Sequence, residues 1–453
     1  MRRVAIVVIN ILGPTTTPES NEPTLGKTMA NVFDTLRDRG FIQQSTDEDA
    51  VRTAFDGGSV VAYVGYDPTA DSLHVGHLFT LMALTHLERA GHQPVIVLGG
   101  GTAMVGDPSG KTEMRQMISK EAIETNVEAI RAQIASLLDV GGRTRVVNNA
   151  EWLLELNYVE FLRDIGRHFS VNKMLAAEAY KRRLEKGLSF IEFSYQLFQA
   201  YDFLELSRRY DCTLQMGGDD QWGNILAGVD LVRRLERKQV QGLTFPLLTT
   251  ATGEKMGKTA SGAVWLSTER LPVYDYYQYW VNAHDDDVVK LLKIFTYLPV
   301  DQIESVAGLT GSELNAAKSV LAYEATRVVH GEAAAEEAHR AALGAFGGRT
   351  IDPSILPASS LPRSASGDAS AIPTTAVSLP SATEGLPLAE LMVTGGLADS
   401  KSAARRLIKQ GAVKLDDVKV TNEQHRVAAG DLEGEPLTVR AGKKKVHRFT
   451  LGS

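Results

Sequence analysis

Apolar residues in the first half of the chain form short uninterrupted runs that are separated by helically spaced positions. Residues 59–66 are apolar and rich in β-branched side chains, and residues 94–98 form a second such run that ends at three glycines. Between them, residues 73–90 carry leucine and methionine at helical spacing and stop at Gly91. A strand, a helix and a strand in this order predict a βαβ unit and hence a parallel sheet.

The apolar pattern beyond this unit extends the sheet and adds helices. It predicts largely helical residues 120–187, a helix over 189–203, short strands over 213–216 and 243–249, and helices that fill 273–346. We therefore expect an α/β fold, with a parallel-sheet domain at 29–250 that contains a helical insertion at about 120–187, and a helical domain at 251–346.

The last part of the chain changes character twice. Residues 347–385 are dominated by Ser, Pro, Ala, Thr and Gly, and this composition predicts a flexible linker. Beyond it, residues 386–453 regain periodicity and predict a small α+β domain with helices around 389–393 and 400–410, followed by short strands.

The N-terminus begins like a secretion signal, because Arg2 and Arg3 precede an apolar stretch. Asn10 interrupts that stretch, no small-residue cleavage site follows, and the stretch is far shorter than the ~20 residues that cross a bilayer. We expect residues 1–28 to be a disordered extension, and the protein to be cytoplasmic without membrane contact. The single cysteine, Cys212, agrees with a reducing compartment.

Composition bounds the domain count and points to a polyanionic partner. A chain of 453 residues with 43% apolar and 23% charged residues is long enough for two or three ordinary globular domains. The formal net charge is −7, yet residues 386–453 hold 12 Lys and Arg against 8 Asp and Glu. A basic module on an acidic body favours contact with a polyanion, although a solvated basic face is the commoner cause of such an excess.

Two motifs carry the candidate chemistry. His74-Val-Gly-His77 follows the first predicted strand, and it places two imidazoles on one face of a helix start, beside N–H groups that lack helical partners. Lys255-Met-Gly-Lys258-Thr259 follows the last predicted strand, and it puts two ammonium groups and a hydroxyl on a glycine-containing loop. Together they indicate a site that stabilises charge during attack on the α-phosphate of a nucleotide.

Two further runs allow a different interpretation. Residues 106–112 are similar to a phosphate-binding P-loop, but Val105 stands where that motif needs glycine, which disfavours a P-loop kinase or ATPase. Asp107 and Lys111 still offer a carboxylate and an ammonium group to a ligand. The acidic pair at 219–220 has no further ligand at suitable spacing, so we expect no structural metal.

A polar stripe follows one face of the helix predicted over 189–203. Tyr195, Gln199 and Asp202 stand at positions i, i+4 and i+7, which by itself is also the pattern of a solvated helix face. Tyr63, at the carboxyl end of the first strand, is placed to face this stripe across a pocket. Such a pocket suits a small polar ligand with an aromatic body.

Over nearly all of residues 29–453 the chain resembles the bacterial tyrosyl-tRNA synthetases, a class I group. The resemblance is carried by the run from Tyr63 to His77 (YVGYDPTADSLHVGH), residues 106–111, residues 195–203, residues 217–224 and KMGKT at 255–259. The final segment is similar to the small RNA-binding module that ends these enzymes. Gly257 and Thr259 depart from the KMSKS pattern of class I enzymes, but the tyrosine group often carries KxGKT.

The resemblance implies a Rossmann-like catalytic domain, a helical anticodon-side domain, a C-terminal RNA-binding domain and a role for each matching residue. The implied tyrosine ligands are Tyr63 and Asp202 at the phenolic hydroxyl, Asp107, Tyr195 and Gln199 at the α-ammonium, and Gln221 near the carboxylate. The implied ATP-binding residues are Gly65, Asp67, Thr69, His74, His77, Gly218, Asp220 and Lys258. The implied catalytic residues are His74, His77, Lys255, Lys258 and Thr259, with Lys111 and Arg115 on a mobile loop.

The implied reaction activates L-tyrosine with ATP, accompanied by Mg²⁺, and then transfers tyrosine to tRNA(Tyr) on a homodimer. The implied tRNA contacts are Arg405, Arg406, Lys409, Lys443, Lys444 and Lys445. Two alternatives stay open. A tryptophan ligase shares the architecture, although Tyr63 and Asp202 favour a phenol; a non-catalytic RNA-binding protein on a synthetase scaffold is disfavoured because both signature motifs keep their histidines and lysines.

Overall fold

The structure, a computed structural model, describes residues 31–109, 118–177, 180–181, 184–185, 187–259, 262–346, 351–368, 372–378, 385–442 and 445–452. For Lys258 and Thr259 it describes the backbone only. The predicted extension at 1–28 and four predicted site residues lie outside the described residues: Lys111, Arg115, Lys443 and Lys444.

A six-stranded sheet organises the first part of the chain. In spatial order its strands are β1 (Gln44–Ser45), β6 (Gln241–Phe245), β5 (Leu214–Gly218), β2 (Val61–Tyr66), β3 (Gln93–Leu98) and β4 (Arg145–Asn148). Strand β1 is antiparallel to β6, and all other neighbours are parallel. The predicted parallel α/β sheet is therefore confirmed, and the carboxyl ends of its parallel strands share one edge, where such sheets bind ligands.

Helices cover both faces of this sheet. Those of the first part are α1 (Val32–Asp38), α2 (Glu48–Gly57), α3 (Val75–Arg89), α4 (Lys120–Ala135), α5 (Ala150–Leu153), α6 (Tyr158–Asp164), α7 (Val171–Ala176), α8 (Phe190–Tyr210) and α9 (Trp222–Glu236). Helix α3 connects β2 to β3, as the apolar pattern predicts. Helix α8 begins at a capping box, in which the Ser189 and Glu192 side chains each bind the other residue's backbone N–H.

Alternation along β2 decides which side chains reach which helices. Ala62, Val64 and Tyr66 enter the core that contains α3, whereas Tyr63 enters the opposite core. There its ring packs against Phe203 of α8, with ring centroids 5.4 Å apart. The strand therefore presents Tyr63 to the polar stripe of α8.

The segment predicted as a helical insertion also contains a strand. Residues 120–187 hold helices α4 to α7, but β4 pairs with β3 and forms an edge of the main sheet. The prediction was wrong here because a strand of four residues is too short to show a periodicity of its own.

The helical domain follows a hairpin formed by β7 (Lys258–Thr259) and β8 (Gly262–Ala263). Its helices are α10 (Val273–Val281), α11 (Val288–Phe295), α12 (Val300–Glu304), α13 (Gly311–His330) and α14 (Glu332–Phe346). Their apolar faces share one core with α1 and α3. Buried Arg39 joins the two parts, because its guanidinium donates to the carbonyl oxygens of Thr296 and Leu298 at 2.8 and 2.7 Å.

The segment predicted as a flexible linker is packed where it is described. Ile351, Leu356 and Leu361 are buried in the main core. Glu324 of α13 accepts hydrogen bonds from the Ser359 hydroxyl at 2.6 Å and from the backbone N–H of residue 360 at 3.1 Å. Composition misled the prediction, because a few spaced apolar residues are enough to hold a polar segment against a helical surface that is already formed.

The C-terminal module begins earlier than residue 386. Its elements are β9 (Thr374–Val377), β10 (Leu386–Pro387), α15 (Leu388–Thr394), α16 (Lys401–Lys409), β11 (Val413–Leu415), β12 (Val418–Val420), β13 (Arg426–Val427), β14 (Leu437–Ala441) and β15 (Lys445–Leu451). Strand β9 pairs in parallel with β15 in a five-stranded sheet. Ile372 and Val446 of this module pack on Tyr274 and α14. Within the described ranges, no helix combines the length and apolar character that a bilayer crossing needs.

Candidate active site

A cavity of about 270 Å³ lies at the edge of the sheet where β2 and β5 end. It gathers residues that are far apart in the sequence and that the resemblance assigns to tyrosine or ATP. The predicted residues that line it are Tyr63, Gly65, Asp67, Thr69, His77, Asp107, Tyr195, Gln199, Asp202, Gly218, Asp220 and Gln221.

Tyr63 and Asp202 are almost completely buried in the wall of this cavity. Asp202 accepts hydrogen bonds from Trp152 Nε1 at 2.7 Å and from Asn149 Nδ2 at 3.0 Å. Burial nevertheless raises the pKa of the Asp202 carboxyl to about 7. The Tyr63 hydroxyl is buried and has no hydrogen-bond partner among the described residues. A buried hydroxyl and a nearby carboxylate can together bind a ligand hydroxyl.

A chain of amide hydrogen bonds holds the next part of the cavity. Asn224 Nδ2 donates to Gln221 Oε1 at 2.9 Å and to Gln199 Oε1 at 3.1 Å. Gln221 Nε2 in turn donates to Asp107 Oδ2 at 2.7 Å. Burial raises the pKa of Asp107 to about 6, although the backbone N–H of Ser109 donates to it at 2.8 Å. These bonds orient the Asp107 carboxylate and the amide oxygens of Gln199 and Gln221, and all three residues line the cavity.

Asp67 connects residues that the resemblance assigns to tyrosine with residues that it assigns to ATP. Its two carboxylate oxygens accept hydrogen bonds from Thr102 Oγ1 at 2.8 Å and from the Tyr195 hydroxyl at 3.4 Å. Gly99, at the end of β3, allows this approach, because a β-carbon there would lie 2.2 Å from an Asp67 oxygen.

The two residues of the acidic pair at 219–220 have different surroundings. Asp219 accepts hydrogen bonds from Gln44 Nε2 at 2.7 Å and Thr244 Oγ1 at 2.9 Å, so it fastens the neighbouring strands together. Asp220 lines the cavity and also a second, larger one of about 1160 Å³. Among the described residues, no group of three or more His, Cys, Asp and Glu is placed to hold a metal ion. The expectation of no structural metal stays a prediction.

The two imidazoles of the HVGH motif stack on each other at the start of α3. Their ring centroids are 3.8 Å apart, and the ring planes differ by 14°. Nδ1 of His74 accepts from the Gly76 N–H at 3.0 Å, and Nδ1 of His77 accepts from the His74 N–H at 3.2 Å. The ring proton therefore sits on Nε2 of each neutral imidazole. Burial lowers the pKa of His77 to about 3, which keeps this ring a neutral donor.

The backbone N–H groups at this helix start find partners outside the helix. The Gly76 N–H is capped by the His74 ring, and the Val75 N–H donates to the carbonyl oxygen of Val264 at 2.9 Å. The motif itself is the reason, because histidine at the N-cap supplies a side-chain acceptor in the way serine or aspartate usually does.

The KMGKT loop lies against the HVGH turn through Val264. The Val264 N–H donates to the Gly257 carbonyl oxygen at 2.9 Å, while its own carbonyl oxygen accepts from Val75. Lys255 and Met256 line the larger cavity, and Gly76 lines both cavities. The structure thus brings the two signature motifs together at the border between the cavities.

Sequence reasoning missed three residues that hold the predicted ligands. Asn149 and Trp152 bind Asp202, and Asn224 joins Gln199 to Gln221. For Asn149 and Trp152 the available signal was the Asn-Asn-Ala-Glu-Trp run that begins at the last residue of β4, since polar residues at the carboxyl end of a parallel strand reach the ligand edge. That signal could not be used, because β4 was not predicted and the run was not recognised as the end of a strand.

Three of the predicted tRNA-binding residues lie on one helix of the C-terminal module. Arg405, Arg406 and Lys409 are exposed on α16, and Lys409 Nζ is 3.3 Å from a carboxylate oxygen of Glu423. Lys445, at the start of β15, is exposed as well.

Comparison with known proteins decides the family. A family model described as tRNA synthetases class I (W and Y) matches residues 56–347, and one for the tyrosine–tRNA ligase SYY-like C-terminal domain matches residues 367–449. The chain is 53% identical over 428 residues to the tyrosine–tRNA ligase of Desulfosudis oleivorans, covering 93% of this chain and 99% of that one. The chain belongs to the tyrosine–tRNA ligase family.

Two further relatives of this family agree in sequence and in fold. The tyrosine–tRNA ligase of Clostridium botulinum strain Hall is 48% identical over 424 residues, which are 93% of this chain and all of that one. The solved structure of a C-terminally truncated mitochondrial tyrosyl-tRNA synthetase from Aspergillus nidulans matches with a TM-score of 0.61 and 31% identity, covering 68% of this chain and 92% of that chain. The predicted family and fold class are confirmed.

Proposed function

We propose that this protein is a tyrosine–tRNA ligase that acts in protein biosynthesis. It activates L-tyrosine with ATP to tyrosyl-adenylate and pyrophosphate, and then transfers tyrosine to the 3′-terminal adenosine of tRNA(Tyr). The observation that carries the amino-acid assignment is the buried Tyr63 hydroxyl, which lies in the same cavity wall as the Asp202 carboxylate and lacks a partner among the described residues.

A phenol completes this arrangement and other aromatic side chains do not. The hydroxyl of bound tyrosine would donate to Asp202 and accept from Tyr63. Phenylalanine or tryptophan would leave both groups buried without that partner, a form of rejection for which tyrosyl-tRNA synthetases are the standard example. This chemistry favours tyrosine over the alternative of a tryptophan ligase.

The α-ammonium and carboxylate of the amino acid are bound by groups that the hydrogen bonds of Asn224 and Gln221 hold in place. Asp107 is the counter-ion of the α-ammonium, and Tyr195 and Gln199 supply further oxygens. Gln221 lies near the carboxylate. The hydrogen bonds from Gln221 to Asp107 and from Asn224 to Gln199 support this assignment, since they orient acceptors before the substrate binds.

Activation needs positioned donors and no general base. A carboxylate oxygen of tyrosine attacks the α-phosphorus of ATP, the bond from that phosphorus to the bridging oxygen breaks, and pyrophosphate leaves with the electron pair. Charge that develops on the phosphates is stabilised by His74 and His77, together with Lys255, Lys258 and Thr259. The neutral Nε2–H of His77 suits this task, because a pKa of about 3 prevents its ionisation near neutral pH.

ATP, carried as its Mg²⁺ complex, extends from the small cavity into the larger one. Gly65, Asp67 and Thr69 bind near its phosphates, and Gly218 and Asp220 bind the ribose. Support comes from the lining of the cavities, because Gly76, Gly218 and Asp220 border both. The predicted contributions of Lys111 and Arg115 concern residues outside the described part of the chain.

The C-terminal module contacts the phosphates of tRNA(Tyr). Arg405, Arg406 and Lys409 share an exposed face of α16, and Lys445 adds a fourth cation. Such contacts bind the polyanion without reading its bases. With tRNA as the second substrate, we assign the protein to the cytoplasm.

The working form is a homodimer, and exposed apolar side chains in the insertion and at the start of α8 support this. Large hydrophobic residues that remain exposed between 150 and 191 include Leu154, Tyr158, Val159, Leu162, Val171, Leu184, Phe190 and Ile191. Such a concentration is typical of a surface that a second protein covers. Val159→Asp should shift the sedimentation of the protein to that of a monomer. Val418→Asp is the matched control and should not, because Val418 is exposed to a similar extent (68% against 72% for Val159) but lies in the C-terminal module.

ATP–pyrophosphate exchange without tRNA tests the function directly. Tyrosine, phenylalanine and tryptophan are supplied separately to the purified protein. Exchange with tyrosine alone is the expected result. Exchange with tryptophan instead would identify the other branch of the family, and a folded protein that binds tRNA without any exchange would be a non-catalytic RNA-binding protein.

A further inference from the structure

The segment that follows the KMGKT hairpin runs antiparallel to the segment that leads into HVGH. The Leu266 N–H donates to the Leu73 carbonyl oxygen at 2.8 Å, and the Val75 N–H donates to Val264 at 2.9 Å. Between these two bonds, His74 and Trp265 form a β-bridge. Trp265 therefore stands directly opposite the first histidine of the motif.

Strand alternation separates Trp265 from its neighbours. Val264 and Leu266 are buried in the main hydrophobic core, whereas the half-buried Trp265 side chain is on the other side of the segment. Its ring lies 6.1 Å from the His74 ring, between centroids, with the planes inclined by 56°. A tryptophan that contacts a catalytic imidazole and stays outside the core has little to do with core packing.

The Trp265 ring is itself held from the other direction. The guanidinium of Arg270 lies 4.6 Å from the centroid of the ring, and Arg270 forms a salt bridge with Asp71. Asp71 lies three residues before His74 in the sequence. A continuous array of side chains therefore leads from Asp71 through Arg270 and Trp265 to His74, and stacking extends it to His77.

We propose that Trp265 is a positioning residue for adenylate formation, acting through His74. It limits the movement of the His74 ring, on which His77 stacks, and it anchors the return of the KMGKT loop beside that ring. Arg270 and Asp71 hold Trp265 in this position. The inference rests on the proposed function, since it concerns the donors that stabilise the phosphates of ATP.

The variants Trp265→Leu and Trp265→Phe separate positioning from bulk. Trp265→Leu should lower kcat for tyrosine-dependent pyrophosphate exchange by about 10- to 100-fold, the scale of a catalytic group displaced by an ångström. The Kd for tyrosine should not change, because Trp265 is not among the residues that line the small cavity, where the proposed tyrosine ligands lie. Trp265→Phe, which keeps an aromatic ring, should retain most of the rate.

A double-mutant cycle identifies the route of the effect. In a His74→Ala background, Trp265→Leu should cost little more, because the ring that it positions is gone. Arg270→Gln should reproduce a weaker form of the Trp265→Leu loss. Arg145→Gln is its matched control, since Arg145 also stacks on an aromatic ring, Tyr210, at 4.4 Å, but at the amino end of β4.

Three results would overturn the proposal. They are a wild-type rate in Trp265→Leu, an equal loss of rate with and without His74, and a loss of tyrosine affinity that accounts for the loss of rate. Thermal unfolding of each variant identifies a loss that comes from misfolding, and in that case Trp265→Phe and Arg270→Gln carry the test. If wild-type protein fails to exchange with tyrosine, the proposed function fails instead, so the two failures are distinguishable.

Discussion

A β-carbon on Gly257 would lie 3.1 Å from the backbone nitrogen of Gly76. These two glycines belong to the two signature motifs, and their close approach lets the KMGKT loop rest on the HVGH turn. Gly257 also has a φ of +86°, a region that side chains disfavour. The glycine that departs from the KMSKS pattern is therefore required by the backbone of this protein.

Substitution of Gly257 should impair activation more than strain alone predicts. Gly257→Ala forces a residue with a β-carbon into the left-handed region, which costs roughly 1–2 kcal/mol of conformational strain. The added methyl group also pushes the loop away from Gly76. The rate of tyrosine-dependent pyrophosphate exchange should fall by at least about tenfold, which corresponds to ~1.4 kcal/mol in the barrier. The measurement is kcat for exchange beside the thermal midpoint of unfolding.

Gly253→Ala is the matched control for this substitution. Gly253 precedes the same loop with a φ of +84°, but a β-carbon there meets nothing within 4 Å. It should lose stability similarly and keep most of the exchange rate. Equal losses of rate in both variants would show that strain matters and the contact with Gly76 does not.

The parts predicted well are those whose physics is local. Helix α3 and strands β2 and β3 show their periodicity within the segment itself. The pairing of Tyr63 with α8 was predicted correctly, but Tyr63 lies in the middle of β2 and not at its carboxyl end, and strand alternation is what turns it toward α8. Packing against distant surfaces was not visible in the same way. Leu356 is buried only because α13 and its neighbours provide a surface, and Trp152 reaches Asp202 only through the fold of the insertion.

Capping gives the two histidines of HVGH a structural role beside the predicted chemical one. Histidine is not among the usual N-cap residues, so the pattern of His74 and His77 favoured ligand chemistry over capping. In the structure each Nδ1 accepts a backbone N–H, and each Nε2 is left with the proton. The same two bonds that complete the helix start also set the tautomer that the proposed phosphate contacts need.

Removal of the second imidazole should affect chemistry and spare tyrosine binding. His77→Ala should lower adenylate formation by about 10²–10³, the scale of losing one positioned donor. The Kd for tyrosine should change little, because its ligands lie elsewhere in the cavity. Single-turnover adenylate formation and equilibrium binding of tyrosine measure the two quantities, and near-normal adenylate formation would remove His77 from the mechanism.

Substitution of the buried carboxylate should weaken discrimination between tyrosine and phenylalanine. Asp202→Asn replaces the charged acceptor that tyrosine alone would use by a neutral amide, and a hydrogen bond to a charged group is worth about 1.5–3 kcal/mol. The ratio of kcat/KM for tyrosine to that for phenylalanine in pyrophosphate exchange should fall by at least about tenfold. An unchanged ratio would mean that the phenol is recognised by other residues.

Tyrosine affinity should rise with pH across the neutral range. Asp202 and Asp107 have pKa values raised to about 7 and about 6, so both are protonated in acid and become acceptors for tyrosine as the pH increases. Each carboxyl should contribute about a tenfold loss of tyrosine affinity for every pH unit below its own pKa. His77, with a pKa of about 3, does not titrate in this range.

The pH profile of the Asp202→Asn variant assigns the two steps. The step near pH 7 should disappear from the Kd for tyrosine, and the step near pH 6 from Asp107 should remain. Isothermal titration of tyrosine between about pH 5 and pH 8 measures both. A wild-type profile that is flat over this interval, or a step near pH 7 that survives in Asp202→Asn, would contradict the assignment.

Loss of two exposed cations should separate tRNA charging from amino-acid activation. Arg405→Ala combined with Arg406→Ala removes two side chains that are exposed on α16, so the C-terminal module should keep its fold. Aminoacylation kcat/KM for tRNA should fall, and the salt dependence of tRNA binding should weaken by about one unit of slope for each phosphate that is no longer neutralised. Pyrophosphate exchange without tRNA should stay at the wild-type rate, because both arginines lie outside the catalytic cavities.

Exchange in the double variant is its own control, since the same protein performs both reactions. A fall in exchange equal to the fall in charging would show that α16 supports the fold of the body, to which the module is joined by the packing of Val446 on Tyr274. Unchanged charging with an unchanged salt slope would move the tRNA contacts to other residues of the module. Only a selective loss of charging, with a shallower salt slope, agrees with phosphate contacts by Arg405 and Arg406.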